Sequence, residues 1–329
     1  MALNLQPERN TQYETPRGIV YVRFFTVAKG GYAANKPAKG SLLPGETGLL
    51  GARAKTIKRW QPKGKDIGAL DGVEVHYEEL SAYAAASAAL AAVELLNSRR
   101  TWEEGNKVYA ERLFVSDDKD SEISRGDTYP DDSGLGAAYR RVALTPRLTE
   151  EDMPGRYFHQ VIYVNFIAHA SGNLEIIGSG RTWEEGNKLY AERLFVSTDG
   201  SSGISRGATL PADSGLDADY RRVALTPGSI VETFPGRYLH RVTYVNYIAH
   251  ASGSGEILGS RRTWSEGRRT LAERLFITTD GNSGVTENDL YPADAAPNGK
   301  YALAPENTVE VFPGRYLSRV LYVGQRSYT

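Results

Sequence analysis

The sequence predicts a mainly β protein in which an N-terminal α+β segment precedes three tandem β repeats of about 81 residues. The repeats are visible in the motif Arg-Thr-Trp-x-Glu-Gly, which occurs three times with its tryptophans, Trp102, Trp183 and Trp264, 81 residues apart. The composition supports the β class, since 20 tyrosines and 34 glycines favour strands joined by tight turns. Internal repetition of this kind indicates an array of similar structural units.

The elements within a repeat follow from its alternating sequence. Both alternate faces of residues 236–248 are rich in β-branched and aromatic residues, which predicts a strand covered on both sides. Asp199-Gly200 and Asp280-Gly281 suit tight hairpin turns. Ala-Glu-Arg-Leu-Phe keeps the step and begins at Ala110, Ala191 and Ala272. Pro-Gly-Arg-Tyr begins at Pro154, Pro235 and Pro313, and its last interval is three residues shorter because the third repeat is shortened before it. About five or six short strands per repeat are typical of a β-sandwich or barrel.

The predicted repeat boundaries are 98–178, 179–259 and 260–329. Residues 167–172 and 248–253 share the sequence Ile-Ala-His-Ala-Ser-Gly, which has no counterpart in the third repeat. We therefore expect this stretch to connect one repeat to the next, and the third repeat to be shorter and to have no outgoing connection.

Residues 1–97 lack these motifs and are interpreted as a separate attachment region. Residues 1–16 form a polar arm, and residues 17–97 form an attachment domain with predicted strands at 18–27 and 72–76. From Glu78 to Leu96 the chain is rich in Ala, with apolar residues at three- and four-residue spacing. This pattern predicts a helix that leads into the first repeat.

A basic segment inside the attachment domain is the candidate docking surface. Between positions 29 and 65 the only acidic residue is Glu46. The basic residues there are Lys29, Lys36, Lys39, Arg53, Lys55, Lys58, Arg59, Lys63 and Lys65. Such a segment is a solvated loop, a surface for an acidic protein partner, or a phosphate-binding surface. Only Tyr32 and Trp60 interleave with the cations, which disfavours nucleic acid.

Several protein classes are excluded by composition. The chain has no cysteine, which excludes disulfide scaffolds, cysteine-ligated metals and thiol nucleophiles. Its formal net charge of −1 provides no global field towards nucleic acid or membrane. Residues 1–10 show no secretory signal pattern, and no stretch is apolar enough to span a membrane. No nucleotide-binding or hydrolase motif is present, so no enzyme activity, cofactor or metal ion is predicted.

The recurring tryptophans, Trp102, Trp183 and Trp264, carry the candidate binding chemistry. An exposed tryptophan flanked by Arg and Glu can stack on a sugar ring, whereas a structural tryptophan would close the edge of each unit and bond its N–H locally. Recurrence does not separate these readings, because duplication copies core and site alike.

Three other features have structural readings that we prefer. The histidines at 76, 159, 169, 240 and 250 show no repeating nucleophile and orienting acid. The acidic turn at 117–122 could offer oxygen ligands to calcium, but its counterparts keep one carboxylate each, which favours a polar hairpin tip. The adhesion-like tripeptide Arg125-Gly126-Asp127 is absent from the other repeats, as expected for a chance match.

The chain as a whole resembles the structural proteins of tailed-bacteriophage particles: tail fibres, baseplate or collar components, or capsid decorations. The resemblance rests on the missing signal at Met1–Asn10, the arm up to Pro16 and the three repeats from Arg99 to Val323. It implies a non-enzymatic protein of the virion, assembled in a host cytoplasm, that docks on other virion proteins and self-associates, with a trimer favoured. The alternative is a carbohydrate-binding, lectin-like repeat protein that contacts a host surface glycan. A polysaccharide-degrading enzyme would require paired carboxylates.

Overall fold

The protein is described here by a computed structural model that covers most of the chain. The described residues are 4–6, 9–47, 50–60, 70–82, 92–144, 148–169, 174–217, 220–225, 230–250, 255–295 and 298–325. The chain divides into two compact units. The first contains Met1–Ile167 with Phe234–Gly236, and the second contains Ala168–Thr233 with Arg237–Thr329.

In the described residues, four antiparallel sheets contain the strands: one lies between residues 4 and 80, and the other three are formed by the repeats, the first of these also including the strand at 93–94. The N-terminal sheet has the strands β1 Asn4–Leu5, β2 Thr11–Thr15, β3 Gly18–Ala28, β4 Arg53–Trp60 and β5 Leu70–Leu80. Its order is β1-β3-β5-β4, with β2 pairing along β3 as a hairpin. The sheet of the first repeat has β6 Val93–Glu94, β7 Arg100–Glu104, β8 Lys107–Ser116, β9 Val142–Ala143, β10 Leu148–Met153 and β11 Arg156–Phe166.

The second and third repeats follow the same plan. The second has β12 Arg181–Glu185, β13 Lys188–Ser197, β14 Val223–Ala224, β15 Ile230–Phe234 and β16 Arg237–Tyr247. The third has β17 Arg262–Glu266, β18 Arg269–Thr278, β19 Tyr301–Ala302, β20 Glu306–Phe312 and β21 Arg315–Gln325. In each repeat a hairpin leads into a long strand that pairs with an eleven-residue strand at the end of the repeat.

The structure confirms the mainly β class and corrects the predicted helix. Residues 78–80 belong to β5 and residues 93–94 form β6, so both ends of the segment predicted as helical are strand. Residues 83–91 of that segment lie outside the described residues. The α-helix described in the N-terminal region is the single turn α1, Tyr32–Asn35, and short 3-10 turns lie at Pro130–Asp132, Ala137–Tyr139 and Pro211–Asp213. Residues 78–80 and 93–94 contain no alanine, and at these ends cross-strand pairing outweighed the helical spacing of the apolar residues.

The N-terminal sheet has the same central strand pairing as the sheets of the three repeats. β3 pairs with β5 as β8 pairs with β11, β13 with β16 and β18 with β21. The fourth residue of the first strand in each pair lies opposite a fully buried tyrosine of the second. These tyrosines are Tyr77, Tyr163, Tyr244 and Tyr322. An Arg-x-Phe triplet in the first strand and a Val-x-Tyr triplet in the second occur in all four sheets.

The loop segments that contain Gly40, Gly126, Gly207 and Asn288 also share a pattern of backbone hydrogen bonds. The amide of Gly40 donates to the carbonyl of Ala54 at 2.8 Å. The matching bonds in the repeats, also 2.8 Å, join Gly126 to Ala143, Gly207 to Ala224 and Asn288 to Ala302. The amide of the same alanine donates back to the residue after this glycine or asparagine, again at 2.8 Å in all four cases. The segment is therefore held against the sheet by the same exchange of bonds in every case.

Each sheet has a small apolar core, and a further apolar cluster lies between the N-terminal sheet and the first repeat. In the second repeat the core contains Ala191, Phe195, Leu210, Val242 and Tyr244, and the other sheets bury residues at matching positions. Cores of this size leave little apolar surface to spare, so contacts with neighbouring sheets matter for stability.

Candidate functional sites

The tryptophans of the first two repeats stack on cross-strand tyrosines. Trp102 lies opposite Tyr109, with ring centroids 5.1 Å apart and planes 7° apart. Trp183 and Tyr190 repeat this arrangement at 5.2 Å and 7°. Stacked aromatic pairs stabilise a sheet beyond the area they bury. In both repeats one ring face is therefore occupied by the protein itself.

An arginine lies over each of these two tryptophans. The guanidinium carbon of Arg100 is 5.3 Å from the Trp102 ring centroid, and that of Arg181 is 5.4 Å from the Trp183 centroid. Both arginines lie two residues before their tryptophan on the same strand face. This cation–π contact, together with the tyrosine stack, gives these two tryptophans a structural role.

Trp264 differs from its two counterparts. The residue opposite it is Leu271, and its side chain is 38% exposed. It lines an open surface depression of about 550 Å³ with Arg262, Glu273 and Arg319. Among the described residues, Trp264 stacks on no other aromatic ring.

The Pro-Gly-Arg-Tyr motif contacts a glycine of the preceding sheet. A Cβ added to Gly40 would lie 3.0 Å from Pro154 within the first unit, and one added to Gly207 would lie 3.1 Å from Pro313 within the second. Both glycines have positive φ, 86° and 88°. Pro235, which groups with the first unit, approaches Gly126 in the same way. The proline thus closes onto a left-handed glycine that a larger residue could not replace without strain.

Aromatic rings and a lysine surround this contact in the second unit. The rings of Tyr247 and Phe312 are 5.4 Å apart, and Lys188 Nζ lies within 5.8 Å of both centroids. Phe166 and Phe234, both in the first unit, form a comparable pair at 5.2 Å. Arg315 is buried and donates from Nη2 to the carbonyl of Arg221 at 2.7 Å.

The contact between the N-terminal sheet and the first repeat combines an ion network with a buried apolar cluster of Leu80, Leu95, Val115 and Phe158. The side chain of Arg156 is fully buried and pairs with Asp152 at 2.5 Å and with Glu78 at 3.3 Å. Lys55 Nζ donates to both carboxylate oxygens of Glu78 at 2.9 Å. Met153 occupies the position of Phe234 and Phe312, and its sulfur accepts from Arg156 Nη2 at 3.4 Å. Within each unit, Pro-Gly-Arg-Tyr therefore contacts the preceding sheet.

A glutamate lies just before each predicted repeat, buried before the first and third and half-buried before the second. Glu256, before the third repeat, is fully buried and accepts from Arg261 at 2.8 Å and from Arg274 at 2.5 Å. Burial alone would raise the pKa of Glu256, but hydrogen bonds from Arg274 and Arg261 outweigh it and lower the pKa to about 2. The carboxylate is thereby held charged inside the protein.

Glu94 has the equivalent partners, Arg99 at 2.8 Å and Arg112 at 3.3 Å. Glu175 pairs only with Arg193 among these, at 3.1 Å, because Gly180 stands where the first and third clusters have their other arginine. These contacts are structural ion pairs, since Glu94 and Glu256 are buried.

Two histidines form buried pairs with serine hydroxyls. His159 Nε2 lies 2.6 Å from Ser116 Oγ, and its Nδ1 lies 3.1 Å from Thr149 Oγ1. His240 Nε2 lies 2.6 Å from Ser197 Oγ. Each serine is 43 residues away from its histidine in sequence, so no local motif links the two. Burial lowers the pKa of both histidines.

These Ser–His pairs resemble part of a hydrolase triad, but the histidines are 0% and 1% exposed, which leaves a substrate no access. At the corresponding position of the third repeat, Ser318 bonds with Thr308 at 3.0 Å. The pairs therefore satisfy buried polar groups. The signal that could have found them is the antiparallel strand register, which places each serine beside its histidine.

The predicted basic docking surface is only partly available. Arg59 pairs with Asp71 at 2.5 Å, Lys55 is bound by Glu78, and Arg53 donates to the carbonyl of Gly40 at 3.4 Å. The exposed cations that have no carboxylate partner among the described residues are Lys29, Lys36, Lys39 and Lys58. Lys63 and Lys65 lie outside the described residues.

A cavity of about 590 Å³ lies between the hairpin turn Pro16–Arg17 and the sheet of the first repeat. The carboxylates Glu111, Glu150 and Asp152 line it. Gln160 donates to Glu111 at 2.7 Å, and Asp152 pairs with Arg156. A hydrogen bond and an ion pair within the protein thus occupy two of the three carboxylates. This disfavours a role for them as the catalytic acid and base of a glycoside hydrolase.

The acidic turn and the adhesion-like tripeptide have local roles. Asp118 and Asp120 cap backbone amides two residues further on, each at 3.2 Å. The described ranges contain no group of three or more His, Asp or Glu side chains that could hold a metal ion. Asp127 Oδ2 accepts from the amide of Ser124 at 2.7 Å, and Gly126 is the glycine beneath Pro235. These contacts give Asp118, Asp120 and Asp127 local structural roles that require no bound ligand.

Comparisons with protein-family models, with curated proteins and with solved structures found no match to this chain. In the part of the chain that the structure describes, no helix has the length and apolar character that a membrane span requires.

Proposed function

We propose that this protein is a non-enzymatic structural component of a tailed-bacteriophage particle, built from one β unit used four times. The observation that carries the proposal is the common frame of the four sheets: the same strand pairing, the same buried tyrosine and the same backbone exchange. In repeat arrays the repetition of a rigid unit sets the length and geometry of the product. The N-terminal sheet is then a diverged copy of the unit that has also acquired the attachment role.

The residues that recur support a scaffold. The proline and arginine of Pro-Gly-Arg-Tyr contact the preceding sheet, and the Glu and Arg side chains form buried pairs. The repeated positions are thus used for holding units together. Self-association, with a trimer favoured, would multiply this geometry around a symmetry axis.

The attachment role rests on the exposed lysines of the N-terminal sheet. Lys29, Lys36, Lys39 and Lys58 are exposed and lack carboxylate partners in the described ranges. Exposed lysines without carboxylate partners fit an acidic surface on a neighbouring virion protein, since complementary charge directs association. Assembly in the virion follows from this docking.

The experiment is a search for the chain in particles. Tailed particles purified from lysates of the source culture should contain its peptides by mass spectrometry, and an antibody should label one location by electron microscopy. In full-length chain, Lys→Glu at positions 29, 36, 39 and 58 should abolish incorporation. The matched control changes four exposed cations of the repeats, Lys119, Arg125, Arg206 and Arg268, to Glu. Absence from particles overturns the proposal, and equal effects of the two variants overturn the docking assignment.

A further inference from the structure

One of the three recurring tryptophans has the surroundings of a binding site. Trp102 and Trp183 each have a ring face covered by a tyrosine at 7° and an arginine above the ring. In the third repeat Leu271 replaces the tyrosine and is itself buried, while Trp264 is 38% exposed. The same backbone position therefore presents a free indole face in this repeat.

The side chains around Trp264 can bind a polar ligand. Arg262, Glu273 and Arg319 line the same surface depression of about 550 Å³. Arg319 Nε donates to Glu273 Oε2 at 2.8 Å, and this fixes the carboxylate beside the indole. A carboxylate accepts up to about four hydrogen bonds, so Glu273 retains acceptor sites for ligand hydroxyls. An apolar plane with fixed polar groups at its rim matches a pyranose, which has C–H faces and an equatorial ring of hydroxyls.

The charge at this site selects among sugars. Arg262 is exposed and has no carboxylate partner among the described residues, whereas Arg319 is already paired with Glu273. A free guanidinium binds a carboxylate through two parallel hydrogen bonds. We propose that Trp264, Arg262 and the Glu273–Arg319 pair form a subsite for an acidic pyranose, such as a uronic acid unit of a surface polysaccharide.

The subsite is independent of the proposed particle role, since it requires only the third repeat. Full-length protein is titrated with tetragalacturonate, and with cellotetraose as a neutral saccharide, by calorimetry and tryptophan fluorescence. Tetragalacturonate should bind, and Trp264→Ala should weaken this binding at least about tenfold, equivalent to about 1.4 kcal/mol. Arg262→Gln should weaken tetragalacturonate binding and bring it to the level of cellotetraose.

The chain supplies its own matched controls. Trp183→Ala removes the same side chain at the equivalent position and should leave binding unchanged, and Trp264→Phe keeps an aromatic plane and should retain most of it. Thermal unfolding of Trp264→Ala within a few degrees of the parent separates lost binding from lost fold. The proposal is overturned if tetragalacturonate does not bind at millimolar concentration, if cellotetraose binds equally well, or if Trp183→Ala costs as much as Trp264→Ala.

Discussion

The contact between the N-terminal sheet and the first repeat can be compared with the contact between the second and third repeats. Both place a proline on a left-handed glycine, Pro154 on Gly40 and Pro313 on Gly207. Near this contact the first has a buried ion network and an apolar cluster, and the second has aromatic rings, a lysine and the buried Arg315. The backbone geometry is thus shared, while the side chains that stabilise it differ.

We call each of these contacts between two sheets a junction. The difference shows which part of a junction the two have in common. A proline and a positive-φ glycine define where two sheets meet, and either an ion network or an aromatic cluster can fill the remaining space. Buried ions require every partner to be present, whereas aromatic rings tolerate the loss of a neighbour. The ionic junction should therefore be the more sensitive of the two to a single substitution.

The largest effect is expected at the ionic junction. Arg156→Met removes a fully buried cation from Glu78 and Asp152 and should destabilise the first unit by about 3 kcal/mol, because it leaves charge incompletely paired. Native-state hydrogen exchange of peptides from β5 and β11 measures this loss. Arg241→Met is the control, since Arg241 is 63% exposed and pairs at 3.7 Å, and it should cost less than about 1 kcal/mol. Equal losses would contradict the comparison.

The aromatic junction should respond less. Phe312→Ala removes a half-buried ring that contacts Tyr247 and Lys188 and should cost about 2 kcal/mol, below the range for fully buried phenylalanines. Denaturant unfolding followed by hydrogen exchange in β16 and β21 gives the value. A double-mutant cycle with Tyr247→Ala should return a coupling of about 0.5–1.5 kcal/mol. Val309→Ala, at a side chain 56% exposed, should change stability by less than about 0.5 kcal/mol.

The shared glycine can be tested in the second unit. Gly207→Ala introduces a Cβ 3.1 Å from Pro313 at a φ of 88° and should cost about 1–2 kcal/mol. Gly215 lies in the same repeat, outside the positive-φ set, with no atom within 4 Å of an added Cβ. Gly215→Ala should therefore be neutral or slightly stabilising in the same thermal melts. A neutral Gly207→Ala would show that the proline contact is not restrictive.

Much of this organisation was visible in the sequence, because duplicated motifs keep their spacing. The β class and the three repeats follow from the tryptophan motif and from Pro-Gly-Arg-Tyr. The kinship of the N-terminal sheet was missed, because it shares only Arg23-x-Phe25 and Val75-x-Tyr77 with the repeats. Leu5 replaces the buried glutamate there and Tyr13 replaces the tryptophan of the hairpin.

The site residues were harder to interpret, because their partners are distant in sequence. Trp102 and Trp264 have nearly identical local sequences, and their difference arises from Tyr109 and Leu271 on the neighbouring strand. The glycine beneath Pro313 lies in another repeat. Periodicity shows which residues recur, but strand register decides which of them touch.

The smallest effect is expected from the buried histidines. They should make the stability of the first two repeats, but not of the third, depend on pH. Burial lowers the folded-state pKa of His159 and His240, so below the unfolded value of about 6.5 the unfolded chain binds more protons than the folded one. Stability is then highest above that pH, and it falls as the pH is lowered towards 5.

The third repeat provides the substitution that tests this, since Ser318 replaces the histidine and bonds with Thr308. The double variant His159→Ser/His240→Ser should therefore flatten the dependence of the melting temperature on pH between 7 and 5. His169→Ser, outside the core, is the control and should leave the slope unchanged. Because Glu256 is held charged down to a pKa of about 2, the buried glutamate of the third repeat adds no slope in this window. An unchanged slope in the double variant would show that the histidines protonate without opening the fold.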